Sequence, residues 1–190
     1  MRSPDLTKEL VEQLEWHWQA AARPRLDGLT DDEYFWEPSP GSWSVRHKDE
    51  APPGSVTLRG GSGEWLIDFA IPAPEPEPVT TIAWRLGHII SMCLVPRTHS
   101  HFGGPPGDAR TWEYAGTAAA ALAQLDEAYA GWMQGVRGLT DETLWRPVGP
   151  AEGPWHEAPM ITLVLHINRE LIHHLAEVAL LRDLWVHRTS

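Results

Sequence analysis

The 190-residue chain has one cysteine, Cys93, which leaves no partner for an internal disulfide and no basis for a cysteine-based zinc cluster. Basic side chains are scarce too: 15 Lys and Arg face 26 Asp and Glu, a formal charge of −11 with histidine neutral. Nucleic acids and anionic membranes are recognised through clustered Lys and Arg, so neither is an expected partner. No uninterrupted apolar run approaches the roughly 18 residues of a membrane span. The first residues, from Met1 to Trp16, lack the apolar core of a signal peptide, and a cytoplasmic setting is expected. No Ser-His-Asp arrangement, Walker loop or Rossmann glycine pattern is apparent.

What the chain has in excess is histidine and tryptophan, 10 and 11 residues, against 3 Tyr and 3 Phe. With cysteine so rare, a metal here must be held by histidine and carboxylate. The length suits one domain that buries roughly 70% of its unfolded surface.

Leu6, Leu10, Leu14, Trp18 and Ala21 recur at helical spacing, which predicts an amphipathic helix over about 4–27, opened by Ser3 as N-cap and Pro4 in the first turn. Residues 37–78 are rich in Pro, Gly and Ser, and the runs Ser55-Val56-Thr57-Leu58 and Trp65-Leu66-Ile67-Asp68-Phe69 alternate. They predict a long loop or small β-hairpin inserted between helices 1 and 2, placed to shape a cavity mouth. A helix over about 81–95, apolar almost all round, reads as central and buried. Residues 96–107 read as a loop, 115–136 as an Ala-rich helix and 158–185 as the last helix. Four helices and one insertion predict an all-α bundle. An internal echo joins 28–38 to 138–147, each copy a Gly-Leu-Thr-Asp run after a helix, read as a cap whose aromatic residue packs over the bundle end.

In the last helix Leu163, Ile167, Glu170, His174, Val178 and Leu181 are spaced 4, 3, 4, 4 and 3, which puts all six on one stripe. An unpaired Glu170 on an apolar stripe would cost several kcal/mol, so something must neutralise it. A buried arginine or a hydrogen-bonded His174 would do so. Alternatively, Glu170 and His174 at i and i+4 offer two metal ligands on adjacent turns. His88, on the apolar central helix, is a candidate third ligand, although a lone histidine there is more often a hydrogen-bonded core residue.

The stretch Thr80-Thr81-Ile82-Ala83-Trp84-Arg85-Leu86-Gly87-His88-Ile89 resembles the second-helix signature of the DinB/YfiT-like superfamily of metalloenzymes. His166-Ile167-Asn168-Arg169-Glu170-Leu171-Ile172-His173-His174-Leu175-Ala176-Glu177 is similar to its fourth-helix signature, which ends here in Leu180-Leu181-Arg182-Asp183, and Phe102-Gly103 fits the same pattern. The resemblance implies an up-down four-helix bundle over 1–190 as a single DinB-like domain, with a metal site between helices. Many members use three histidines. Glu170 four residues before His174 is similar to the His/Glu/His set of the mycothiol-dependent maleylpyruvate isomerase branch, which implies His88, Glu170 and His174 as ligands. His173 or His166 could replace one of them if the helix register differs.

Two imidazoles and a carboxylate suit catalytic zinc and are compatible with nickel, iron or manganese. The resemblance further implies a thiol-dependent S-transferase or isomerase using mycothiol, bacillithiol or a similar small thiol, acting on a small-molecule substrate, with a homodimer allowed. The competing expectation is a non-catalytic metal-binding bundle involved in binding or stress response; four protein ligands closing the site would favour it. A DNA-binding role, suggested by the family name, conflicts with the −11 charge. Arg85 and Arg169, beside the expected ligands, are candidates to bind a substrate carboxylate or to make ion pairs. Glu177 is a candidate to orient an imidazole or to pair at the surface. His17, His99 and His101 are expected to be structural. Cys93, five residues after His88, is expected off its side of the helix as a small core residue. Most tryptophans are expected to pack at bundle ends and under the insertion.

Overall fold

Asp5 opens the first helix: its carboxylate accepts from the Lys8 N–H at 3.0 Å, and α1 runs over Leu6–His17. The computed structural model describes residues 5–188, so the expected Ser3-Pro4 cap lies outside the described residues. The helical path continues through a π segment, Trp18–Ala22, and a 3-10 turn, Arg23–Leu26. Leu10, Leu14 and Trp18 are buried as the spacing predicts, but Ala22 rather than Ala21 faces the core. The wide turn inserts one residue and moves the register on by one.

The echoed runs form two four-residue helices, α2 at Asp31–Tyr34 and α6 at Asp141–Leu144, with Thr30 and Thr140 as their N-caps. In the first copy Trp36 packs edge-on against Trp185 near the end of the last helix. In the second copy Leu144 is buried instead and Trp145 is 60% exposed. Trp16 and Trp155 are exposed as well, so the expectation of packing fails for these three.

The insertion carries more structure than a hairpin. Strands β1 (Val45–His47), β2 (Leu58–Gly60) and β3 (Trp65–Phe69) form an antiparallel sheet in the order β1-β3-β2, with Val45 and Gly60 both opposite Ile67. β1 has three residues, too few for alternation to be visible in the sequence. The chain is thus mostly helical with a small sheet, not purely helical.

Thr81 caps α3, Ile82–His88, by accepting from the Trp84 N–H at 3.2 Å. The helix does not stop at Val95. It passes through a π segment, Ile89–Leu94, into α4, Val95–Phe102, and ends at Gly103 in the left-handed conformation (φ 73°). Residues 96–102, expected as loop, are helical because the wide turn accommodates Pro96. Proline lacks an N–H for the Met92 carbonyl four residues back, and that carbonyl accepts from Arg97 Nη1 instead.

α5 spans Ala118–Arg137 and α7 Met160–His187, with a 3-10 segment, Pro150–Trp155, before α7. α1 packs on α5 and α7; α3 and the π segment after it pack on the same two helices, and α4 on α5. Leu14, Leu86, Ile90, Leu125, Trp132, Ile167 and Leu171 fill the space between them. Among the described residues no helix is long and apolar enough to cross a membrane.

Candidate metal centre

His88 is the last residue of α3, and its position is set from the sheet side. The Trp84 indole N–H donates to the Asp68 carbonyl of β3 at 2.9 Å, and the His88 ring stacks on Trp84 with centroids 5.2 Å apart. Gly87 lets the sheet come close: a methyl there would meet Ile67 and Tyr114 at 3.1 Å. The insertion therefore lies behind the histidine-bearing helix.

Across the interface, the α7 stripe is buried at Leu163, Ile167, His174, Val178 and Leu181, while the Glu170 side chain keeps 24% exposure. Glu170 Oε2 lies 3.3 Å from His174 Nε2 and 3.9 Å from His88 Nε2, and Oε1 lies 3.4 Å from His166 Nδ1. The carboxylate is thus surrounded by imidazoles rather than by a buried arginine. The His88 and His174 rings meet edge to face, with centroids 4.6 Å apart.

His174 is gripped on its other edge. Glu177 Oε2 is 2.7 Å from Nδ1, and Arg85 braces Glu177 at 3.2 Å while also touching Nδ1 at 3.3 Å. The short Glu177 contact holds the ring by its Nδ1 edge and turns Nε2 toward the Glu170 carboxylate. Imidazole and carboxylate donors of this kind are compatible with a divalent metal. His88 is also ready as a neutral ligand: burial, then the neighbouring His174 charge, push its pKa down to about 4 against the pull of Glu170.

Cys93 is placed differently from expectation. Its buried sulfur lies 3.6 Å from His88 Nε2, and its sulfur and the ligand atoms of His88 and Glu170 all lie within 4.8 Å of one another. In an α-helix the fifth residue along points away; the π segment that starts at Ile89 brings it back under His88. The Val95 N–H bonds to the Ile90 carbonyl, the i to i+5 pattern of that wide turn. The sequence signal for it was Pro96 within an otherwise continuous helical run. Burial and the nearby Glu170 charge push the free thiol up to about 12.

His174, expected beside His88 and Glu170, is not in the group that Cys93 forms with them; it falls with His173 and Glu177 in a second group within the same distance limit, and reaches the first through its 3.3 Å contact with Glu170. His173 is on the exposed side, 3.4 Å from Glu177, while His166 flanks Glu170. His101 bonds Glu152 at 3.0 Å and His99 the Gly104 carbonyl at 2.8 Å, both structural contacts. His17 lies at the end of α1, remote from the centre in the chain path, and burial lowers its pKa.

One turn before Glu170, α7 borders a cavity of about 340 Å³ lined by Arg97, Glu152, Trp155, Leu163, His166 and Arg169 among others. Arg97 lies 3.5 Å from Glu152, whereas Arg169 bonds His166 Nδ1 at 2.7 Å and makes no ion pair among the described residues. Residues 37–78 do not line this cavity. They pack beneath α3.

A helical protein carrying a histidine and carboxylate cluster between its central and last helices is the class that this fold and site define. The chain belongs to the DinB superfamily, whose sequence model matches residues 68–178, including the central helix and α7 as far as Val178. No curated protein and no solved structure matches the chain significantly.

Proposed function

We propose that this DinB-superfamily protein is a metal-dependent enzyme, a thiol S-transferase or isomerase that uses mycothiol, bacillithiol or a similar small thiol. The observation that carries the reading is the Glu170 carboxylate set between two imidazoles, 3.3 Å from His174 Nε2 and 3.9 Å from His88 Nε2. His88, Glu170 and His174 would hold the ion, zinc by donor preference, with nickel, iron or manganese compatible. When bound, the ion supplies positive charge that favours the deprotonated form of a thiol or water. Glu177 accepts from His174 Nδ1 and fixes the orientation of the ring, and Arg85 holds Glu177 in place. Arg169 and Arg97 offer cationic charge to the cavity beside Glu170, and Trp155 and Leu163 give it apolar walls for a small electrophile. His166, whose pKa burial lowers, lies between cavity and carboxylate and contacts Arg169 through Nδ1.

The packing of α1 and the α3-to-α4 rod on α5 and α7 supports a single domain built as an up-down four-helix bundle. The test is elemental analysis of purified protein beside His174→Ala, then incubation of the loaded protein with a panel of thiols and an electrophile. Stoichiometric metal lost in the variant and a thiol adduct formed by the wild type support the reading. No stoichiometric metal defeats the site, and metal without any adduct leaves a metal-binding protein that is not this enzyme. A non-catalytic bundle with a closed site is the second reading, and the Cys93 sulfur beside His88 is the observation in its favour.

A further inference from the structure

The π segment Ile89–Leu94 costs regular α-helical hydrogen bonding, and what it achieves is local: it turns the chain's one thiol toward the histidine that ends α3. Three facts meet there. Cys93 is 5% exposed, so its sulfur is withdrawn from solvent. The His88 imidazole lies 3.6 Å from that sulfur. The sulfur also lies within 4.8 Å of the Glu170 carboxylate, whose Oε2 contacts His174. A methyl-sized core filler needs no departure from α register to be buried, because the neighbouring positions Ile89, Ile90 and Leu94 are buried as well.

We infer that Cys93 is a protein ligand of the same centre, so that a divalent ion is held by His88, Cys93, Glu170 and His174. The inference rests on the reading that this centre binds a metal. Ligation exchanges the thiol proton for the ion, and the proton leaves to solvent. The thiolate makes the donor set softer than two imidazoles and a carboxylate, which favours zinc or cobalt over manganese. With four protein donors the site is closed, and a small thiol enters by replacing the Cys93 sulfur or by raising the coordination to five. Pro96, by supporting the wide turn that precedes it, is part of the same device.

The chain's single cysteine makes the test direct. Wild-type protein and Cys93→Ser are titrated with cobalt(II) in thiol-free buffer, with bound metal measured by elemental analysis and the near-ultraviolet sulfur-to-cobalt charge-transfer band by absorption. The expected result is one cobalt per chain with an intense band in the wild type. In Cys93→Ser the band should vanish. Loss of an outer partner of a ligand alone weakens metal binding about 10–100-fold, so loss of a direct ligand should weaken it at least about tenfold. Stoichiometric cobalt in the wild type without the band overturns ligation by Cys93 and leaves the histidine-carboxylate centre intact. Absence of stoichiometric cobalt overturns both. If Cys93→Ser does not fold, as read by circular dichroism of the metal-free protein, the wild-type band decides the matter, with Cys93→Ala as the second variant.

Discussion

His174 Nδ1 lies 2.7 Å from Glu177 Oε2, three residues further along the same helix. The contact fixes the ring and turns Nε2 toward Glu170. Replacing Glu177 by Ala should let the ring rotate and should lower metal affinity about 10–100-fold without unfolding the chain. A competition titration against a chromophoric chelator checks it, and an unchanged affinity would place Glu177 at the surface as an ordinary ion-pair partner of Arg85.

Metal-free protein should lose stability as the pH falls from 7 to 5. His88 is held at about 4 by burial, against 6.5 for an unperturbed histidine, and His17 and His166 are shifted the same way. Below 6.5 the unfolded chain binds protons that the folded chain refuses, so stability rises with pH through this window. For His88 the loss between pH 7 and pH 5 is about 2 kcal/mol. Urea midpoints measured with chelator present would reveal it, and His88→Gln should flatten the dependence. Equal midpoints at both pH values would contradict the assignment of a buried neutral His88.

Glu33 and Arg182 form a two-pronged pair, Nε to Oε1 at 2.7 Å and Nη2 to Oε2 at 3.3 Å, with the Glu33 side chain only 4% exposed. Arg182 also donates to the Arg25 and Asp27 carbonyls, tying the end of α7 to the turn after the first helix. Arg182→Ala leaves a buried carboxylate without its cation and should cost about 3–5 kcal/mol. Chemical denaturation measures it; a loss below about 1 kcal/mol would be that of a surface pair.

Much of this could be read from spacing alone. Glu170 and His174 share a stripe because i and i+4 stack in any α-helix, and α7 is regular over its whole length. His88 was selected by its apolar neighbours. The placement of Cys93, the helical course of residues 96–102 and the inward turn of Ala22 escaped, and a departure from the 3.6-residue period lies behind each. Such a departure depends on what satisfies a freed carbonyl, here the Arg97 guanidinium on Met92, and that partner is set by packing rather than by local propensity. β1 escaped for another reason: its three residues gain strand geometry only by pairing with β3, 20 or so positions away.

Gly135 of α5 faces the Phe102 ring at the end of α4, and a methyl at this position would overlap the ring itself rather than a flexible tip. Gly135→Ala should therefore destabilise by about 1–3 kcal/mol despite the better helix propensity of alanine. A thermal melt reads the change, and Phe102→Leu, which makes room, should restore part of it. An increase in stability on Gly135→Ala alone would mean that α4 and α5 stand further apart.

The sheet reaches the centre through one hydrogen bond, from the Trp84 indole to the Asp68 carbonyl, and one stack, Trp84 on His88. Trp84→Phe keeps an aromatic surface under His88 but removes the donor, leaving a buried carbonyl short of a partner. The stability cost should be about 1–2 kcal/mol. Because the ring under His88 is no longer pinned to β3, metal affinity should fall as well, by about tenfold, the lower end of what loss of a ligand's supporting contact brings. Denaturation and metal titration of the same sample separate the two effects. If stability falls while affinity holds, the insertion stabilises α3 without positioning its histidine. If both fall, residues 37–78 act on the centre through Trp84, from behind the helix rather than from the rim of the cavity.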